Sequence, residues 1–196
     1  MIKNVKKDLQ LFKPYSVTKG DVSIKLDANE NPYGLFKKLR KDFIKRIMDI
    51  DVNRYPDTDS EELRKKIAKY TGVGISNIIC GNGSDEIIQM IINAFVDKDE
   101  YVITHRPTFS MYKTFTTIVG GNVIEIPCEQ NFNIPVEAII KKSNEKKAKI
   151  IFLCNPNNPT GVTISKGAIK RILQNTNALV VVDEAYYEFF GETIIE

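Results

Sequence analysis

The amino-acid sequence predicts an α/β fold with a mainly parallel sheet flanked by helices. From about residue 72 onward, short apolar runs typical of strands alternate with segments whose apolar residues follow helical spacing. Two of the apolar runs, 149–153 and 179–182, have the composition of buried strands, and a polar segment follows each of them. Such alternation is typical of parallel strands that are joined by helices.

The segment before this alternation predicts an arm followed by two helices. Residues 1–34 are polar and interrupted by proline and glycine, which predicts an N-terminal arm with a short extended piece at 24–26. Apolar residues at helical spacing predict an amphipathic helix over about 35–48. The sequence Thr-Asp-Ser-Glu at 58–61 is a capping-box pattern that starts a second helix, which is expected to end near Gly72.

The remaining elements are predicted from the same patterns. Strands are expected at 78–80, 101–104, 122–126, 149–153 and 179–182. Helices are expected at 84–95, near 109–118, after Pro135 and after the capping residue Ser165. Each predicted strand except the last is therefore followed by a predicted helix.

The composition argues against several classes of protein. A net charge of +3 is too small to indicate a nucleic-acid partner. No apolar run approaches the roughly 20 residues needed to span a bilayer, and the N-terminus lacks the apolar core of a signal peptide. Three widely spaced cysteines (Cys80, Cys128 and Cys154) and a lone histidine, His105, favour buried reduced thiols over a disulfide or a metal site. We therefore expect a cytoplasmic protein without nucleic-acid, membrane or metal partners.

Polar side chains follow the two buried strands. Asn158 lies in the segment 154–161, and Asp183 and Tyr186 follow the second strand. In open α/β sheets, ligands bind at the carboxyl ends of the strands. A carboxylate, an amide and a phenol suit pyridoxal phosphate, because the carboxylate would keep the pyridine nitrogen protonated while the amide and the phenol would hydrogen-bond the ring oxygen. The alternative is that Asp183 caps a helix and Tyr186 is a packed aromatic residue.

A glycine-flanked turn, Gly81–Glu86, joins a short apolar run to a predicted helix. Gly83, Ser84 and Asp85 would then present backbone N–H groups at a helix N-terminus, where an anion such as a phosphate is favoured. The alternative is an N-capping serine with acidic residues in the first turn, which stabilises a helix without any ligand.

Phe109 follows the strand predicted at 101–104. At a strand end, its ring could stack on a pyridine ring. The alternative is an ordinary core phenylalanine.

These segments resemble those of the aspartate aminotransferase superfamily. Residues 158–161 and 183–186 are similar to its Asn-Pro-Thr-Gly and Asp-x-x-Tyr segments, and residues 83–86 are similar to its Gly-Ser-Asp-Glu phosphate turn. The resemblance implies a fold of the type found in transferases that use pyridoxal phosphate, with a small-domain helix at 35–50 and the first half of the cofactor-binding large domain at 51–196. It also implies cis peptide bonds at Arg106–Pro107 and Asn158–Pro159.

Residues 25–34 and 53–57 closely match the N-terminal signature of the histidinol-phosphate aminotransferases. This resemblance implies amino transfer between histidinol phosphate and 2-oxoglutarate, with glutamate as the other amino compound, in a homodimer. It further implies that Tyr55 reaches the cofactor phosphate of the other subunit, that Asn29 and Glu30 lie near the amino-donor pocket, and that Tyr15 lies near the substrate phosphate. The segment 16–20 departs from the Pro-Gly that many members carry after the equivalent of Tyr15.

The resemblance also implies a lysine that binds the cofactor covalently, well after Asp183 in the chain. The sequence has no lysine after Lys170, so the expectation is that it ends before this residue and contains no catalytic residue of its own. Two alternatives are a lyase similar to threonine-phosphate decarboxylase and a non-catalytic fragment that binds the cofactor or dimerises.

Overall fold

The computed structural model describes residues 6, 9, 20, 24–26, 28–33 and 36–195. The chain divides into two compact units, Leu11–Glu61 and Glu62–Glu196 together with Met1–Gln10. In the first unit, helix α1 spans Phe36–Met48. This helix confirms the prediction from helical spacing, and turns follow it, in which the Ile50 amide donates to the Ile47 carbonyl at 3.1 Å.

Helix α2 spans Glu61–Thr71 and confirms the second predicted helix. Its N-terminus is capped by Asp57, whose carboxylate accepts from the amides of Asp59 at 3.0 Å and Glu61 at 2.7 Å. The capping-box pattern predicted Thr58 as the capping residue, whereas the Glu61 amide at the start of the helix donates to the Asp57 carboxylate. The helix ends at Gly72, where φ of +81° is a conformation that glycine adopts without steric cost.

Four parallel strands form the sheet of the second unit. They are β1 (Tyr101–Arg106), β2 (Asn122–Pro127), β3 (Ile150–Cys154) and β4 (Leu179–Asp183). Their order across the sheet is β2-β1-β3-β4. The chain therefore moves outward from β1 to β2 and then returns past β1 to β3, so that the direction of progress reverses between β1 and β3.

Helices cover both faces of this sheet, which confirms the predicted α/β fold class. Helices α3 (Gly83–Phe95) and α4 (Met111–Val119) pack on one face through a cluster that includes Ile88, Ile92, Tyr112 and Phe152. Helices α5 (Val136–Lys146) and α6 (Lys166–Asn175) pack on the other face through Ile139, Ile151, Leu153, Ile169 and Ile172. Because β3 lies between both clusters, all five of its residues are buried.

Smaller elements connect or end these layers. Short 3-10 helices occur at Ile75–Asn77 and Gln130–Phe132, and a one-turn helix, α7, spans Tyr187–Phe190. The predicted cap of α6 is confirmed, because the Ser165 hydroxyl accepts from the Ala168 amide at 3.2 Å. Among the described residues, no helix is long and apolar enough to cross a bilayer.

Residues 78–80 form irregular backbone, so the prediction of a strand there was wrong. A strand requires a neighbour that accepts its backbone hydrogen bonds, and none of the four strands pairs with this segment in the described structure. The Ile79 side chain is 73% exposed. An apolar composition alone therefore did not determine the structure of this segment.

The expectation of three buried thiols holds for one cysteine only. Cys154 is buried in β3, whereas Cys80 and Cys128 are partly exposed because both lie outside the strands. All three are free thiols.

Candidate functional site

The strand order reverses between β1 and β3, so the carboxyl ends of these two strands form the switch point of the sheet. In open α/β sheets this switch point is where ligands bind. Arg106 ends β1, Cys154 ends β3, and Asp183 lies opposite Cys154 in the register of β3 and β4. The polar segments that follow these strands therefore meet at one edge of the sheet.

Asn157 joins the loop after β1 to the loop after β3. Its side-chain nitrogen donates to the Pro107 carbonyl at 3.0 Å and to the Thr160 hydroxyl at 2.7 Å. Its side-chain oxygen accepts from the Thr108 hydroxyl at 2.8 Å. The residue is 3% exposed, so the amide holds both loops from inside the protein. The motif predicted a role for the neighbouring Asn158 and gave no signal for Asn157, because two adjacent asparagines do not reveal which one turns inward.

We expect Asn157→Ala to destabilise the protein by about 2 kcal/mol, because it removes a buried amide and the three hydrogen bonds that join the two loops. Urea unfolding of the cofactor-free protein measures this loss. Asn144→Ala is the matched control, since the Asn144 amide makes its hydrogen bond to the Asn175 carbonyl at an exposed site and should change stability by less than about 0.5 kcal/mol. Equal losses in the two variants would contradict the structural role assigned to Asn157.

Asp183 ends β4 with both carboxylate oxygens hydrogen-bonded. One oxygen accepts from the Tyr112 hydroxyl at 2.7 Å and the other accepts from the Ala185 amide at 3.1 Å. Asp183 is only half-buried. Because each carboxylate oxygen has two lone pairs, the group can accept a further hydrogen bond from a ligand at this edge of the sheet.

Tyr112, to which no sequence motif assigned a role, is fully buried. Its ring stacks on Phe152 with 4.6 Å between centroids and 5° between planes. Burial, reinforced by the nearby Cys154 and Asp183, raises the pKa of the Tyr112 hydroxyl far above its usual value. The hydroxyl therefore stays protonated and acts as a donor toward Asp183.

Phe109 lies beside the same tyrosine. The two rings meet edge-to-face, with 5.6 Å between centroids and 81° between planes. Phe109 is half-buried at the edge of the cluster on the α3 and α4 face. It therefore packs against the core and stays partly exposed, and its stacking role stays a prediction.

Gly83, Ser84 and Asp85 form the exposed first turn of α3. Gly83 has a φ of +75°, a conformation that favours glycine. The N-capping residue is Asn82 rather than Ser84, and the Asn82 amide donates to the Glu86 carboxylate. Because α3 leads directly into the start of β1 and packs along the sheet, its N-terminus points toward the carboxyl edge of the strands. The role of this turn in phosphate binding stays a prediction.

Asn158 and Tyr186 are both half-buried and lie in the loops that follow β3 and β4. The Tyr186 ring lies 6.3 Å from that of Phe189, with 56° between planes.

The two implied cis peptide bonds, Arg106–Pro107 and Asn158–Pro159, are present. A third cis bond, Asn155–Pro156, was not anticipated.

The other predicted site residues belong to the unit Leu11–Glu61 or lie outside the described residues. The Tyr55 side chain is 98% exposed, and Asn29 and Glu30 are also exposed. Tyr15 is not among the described residues. The roles of these four residues therefore stay predictions.

The opposite edge of the sheet holds a wide cavity of about 760 Å³ at the amino ends of the strands, lined by residues such as Tyr101, Lys149 and Ala178. None of the predicted site residues lines it.

In the described part of the chain, no group of three or more histidine, cysteine, aspartate and glutamate residues could hold a metal ion.

Comparison with known proteins identifies the family. The family model described as aminotransferase class I and II matches residues 21–195. The chain belongs to this aminotransferase family. It is 44% identical over 191 residues to the histidinol-phosphate aminotransferase of Clostridium novyi, an alignment that covers 97% of this chain and 54% of that relative. The chain thus spans about half the length of the curated relatives it matches.

Solved structures confirm the fold. A putative histidinol-phosphate aminotransferase from Erwinia carotovora atroseptica superposes with a TM-score of 0.74 at 27% identity, covering 86% of this chain and 49% of that one. The histidinol-phosphate aminotransferase of Sinorhizobium meliloti, solved in complex with pyridoxal-5'-phosphate, superposes with a TM-score of 0.68 at 24% identity, covering 73% of this chain and 39% of that one. The predicted fold class and the resemblance to this group of aminotransferases are therefore confirmed.

Proposed function

We propose that the whole protein containing this chain is a pyridoxal-phosphate-dependent aminotransferase that moves an amino group between histidinol phosphate and 2-oxoglutarate in histidine biosynthesis. The observation that carries this proposal is the Asp183 carboxylate, which is oriented by Tyr112 at the carboxyl edge of the sheet beside Phe109. Family membership and the names of relatives more than 40% identical support the choice of reaction and substrate.

The residues at this edge fit the pyridine end of the cofactor. When bound, pyridoxal phosphate supplies an electron-accepting ring that stabilises negative charge developing on the amino substrate. Asp183 would accept a charge-assisted hydrogen bond from the protonated ring nitrogen. Phe109 would lie against the ring face, and Asn158 and Tyr186 would hydrogen-bond the ring oxygen.

The first turn of α3 fits the phosphate end. Ser84 and Asp85 would contribute backbone N–H groups from the first turn, and the Ser84 hydroxyl would add a further donor. Gly83, whose own amide donates to the Gly81 carbonyl at 3.0 Å, would let the phosphate approach the backbone closely because it has no side chain. The Asp85 carboxylate would stay outside this group of donors, since a second negative charge beside a phosphate is unfavourable. The exposure of all three residues supports this assignment.

The remaining proposed roles belong to residues of the segment 11–61. We propose that Asn29 and Glu30 lie near the amino-donor pocket, that Tyr15 lies near the substrate phosphate, and that Tyr55 reaches the cofactor phosphate of a second subunit in a homodimer. The high exposure of the Tyr55 ring is compatible with a contact outside its own subunit. In this proposal residues 1–34 are an arm, 35–50 belong to a small domain and 51–196 to the large domain, and the protein is cytoplasmic.

We assign no lysine of this chain to covalent cofactor binding. Lys166 and Lys170 lie on α6 and line a small cavity with Val180 and Val182 on that side of the sheet. Asp183 is bonded to Tyr112, which belongs to the cluster on the opposite face. The two lysines are therefore separated by the sheet from the proposed ring position.

The test is to supply the purified whole protein, loaded with pyridoxal phosphate, with histidinol phosphate and 2-oxoglutarate and to measure glutamate formation. O-phosphothreonine is tested in parallel for release of carbon dioxide. We expect glutamate from the first reaction and no carbon dioxide from the second. Carbon dioxide release alone would assign the protein as a lyase, and absence of both products would favour a non-catalytic role.

A further inference from the structure

Tyr112 contacts two of the residues proposed to hold the cofactor ring. Its hydroxyl donates to Asp183, 71 positions away in the chain, and its ring edge packs against Phe109. Phe152 covers the face of the same ring from β3. Packing thus holds the tyrosine ring on more than one side, and its hydroxyl has little freedom to move away from the carboxylate.

The surroundings of this hydrogen bond favour a single arrangement. Burial raises the pKa of the Tyr112 hydroxyl and that of the nearby Cys154 thiol, so both groups stay neutral. The hydroxyl is then a neutral donor to the Asp183 side chain. The Ala185 amide occupies the other oxygen, and the two donors together restrict rotation of the carboxylate about its bond to the side chain.

We infer that Tyr112 is a positioning residue that aims the free lone pairs of Asp183 at the ring nitrogen of the cofactor while its ring supports Phe109. The inference rests on the proposed function. Tyr112 touches neither substrate nor cofactor in this arrangement and acts through Asp183. Its contribution should therefore appear only for a ligand whose ring nitrogen can donate to the carboxylate.

The experiment compares two ligands of the whole protein. One is pyridoxal phosphate, and the other is an analogue whose ring nitrogen is replaced by C–H. Both keep the aldehyde and the phosphate, so the ratio of their dissociation constants isolates the contact of the ring nitrogen with Asp183. Binding is followed by absorption and does not require turnover.

We expect the wild-type protein to prefer pyridoxal phosphate, and Tyr112→Phe, which removes only the hydroxyl, to lower that preference roughly fivefold. Tyr101→Phe is the matched control, because Tyr101 lies at the amino end of β1 and borders the cavity at the opposite edge. This control should keep the wild-type preference. Tyr112→Leu also lacks the donor and provides a second measurement if the phenylalanine variant folds poorly.

Each remaining outcome is decisive. Weak binding of pyridoxal phosphate by the wild-type protein, or no preference over the analogue, would overturn the proposed role of Asp183. An unchanged preference in both Tyr112 variants would overturn the positioning role alone. Equally weakened binding of both ligands would likewise overturn the positioning role and would show that Tyr112 acts only on stability.

Discussion

Asp183→Asn is expected to lower the rate of amino transfer by the whole protein by roughly a hundredfold or more. The substitution keeps the shape of the side chain and removes the negative charge at the end of β4. A hydrogen bond to a charged group contributes on the order of 1.5–3 kcal/mol, or about 10- to 100-fold. The loss of a protonated ring nitrogen should add to this effect in the transition state, since the ring then accepts electrons less well.

Steady-state measurement of glutamate formation checks this prediction. Asp99→Asn is the control, because it makes the same chemical change at the amino edge of the sheet, where Asp99 borders the 760 Å³ cavity. The φ of Asp99 is +67°, a conformation that asparagine tolerates well. A rate for Asp183→Asn within about tenfold of the wild-type rate would show that Asp183 has a structural role only.

Replacement of His105 is expected to remove much of the acid sensitivity of this domain. His105 lies in β1 and is fully buried, with its Nδ1 atom 3.6 Å from the Cys128 sulfur. Burial lowers the pKa of His105 from 6.5 to about 4. Because the unfolded chain then binds a proton more readily than the folded protein, stability is constant above about pH 6.5 and falls as the pH drops toward 4.

The size of the effect follows from the two pKa values. The difference between the pKa of His105 in the unfolded and in the folded protein corresponds to roughly 3 kcal/mol in the free energy of unfolding. About 2 kcal/mol of this is lost on going from about pH 7.5 to about pH 5. His105→Phe fills a similar space without titrating and should lose about 2 kcal/mol less over this interval. Urea unfolding of both cofactor-free proteins at each pH provides the measurement. Carboxylates titrate in both proteins, so their effect cancels when the two losses of stability are subtracted. Equal losses of stability in the wild-type protein and in His105→Phe would contradict the prediction.

The local patterns of the sequence predicted most elements of the fold. Helical spacing located α1, and a single serine located the start of α6. The same reasoning was wrong at 78–80, where an apolar run meets no partner strand. Composition determines whether a segment can form a strand, whereas pairing depends on residues far away in the chain.

The candidate site was predicted in part. The motifs indicated Asp183 and Phe109 as ligand-binding residues, because they follow apolar runs that end at one edge of a parallel sheet. They did not indicate Tyr112 or Asn157, whose side chains reach partners 71 and 49 positions away. Neither residue differs in composition or spacing from an ordinary core tyrosine or a loop asparagine.

By itself, the sequence determined the fold class, the family resemblance and the chemical types of the side chains at the strand ends, because these depend on local periodicity and on short motifs. Only the tertiary structure decided how those side chains are arranged. The strand order β2-β1-β3-β4 places the switch point between β1 and β3, and Asn157 and Tyr112 hold the loops and the carboxylate at this edge of the sheet. The physical reason is that these hydrogen bonds and ring contacts join segments that become neighbours only when the sheet and its two helix layers have packed.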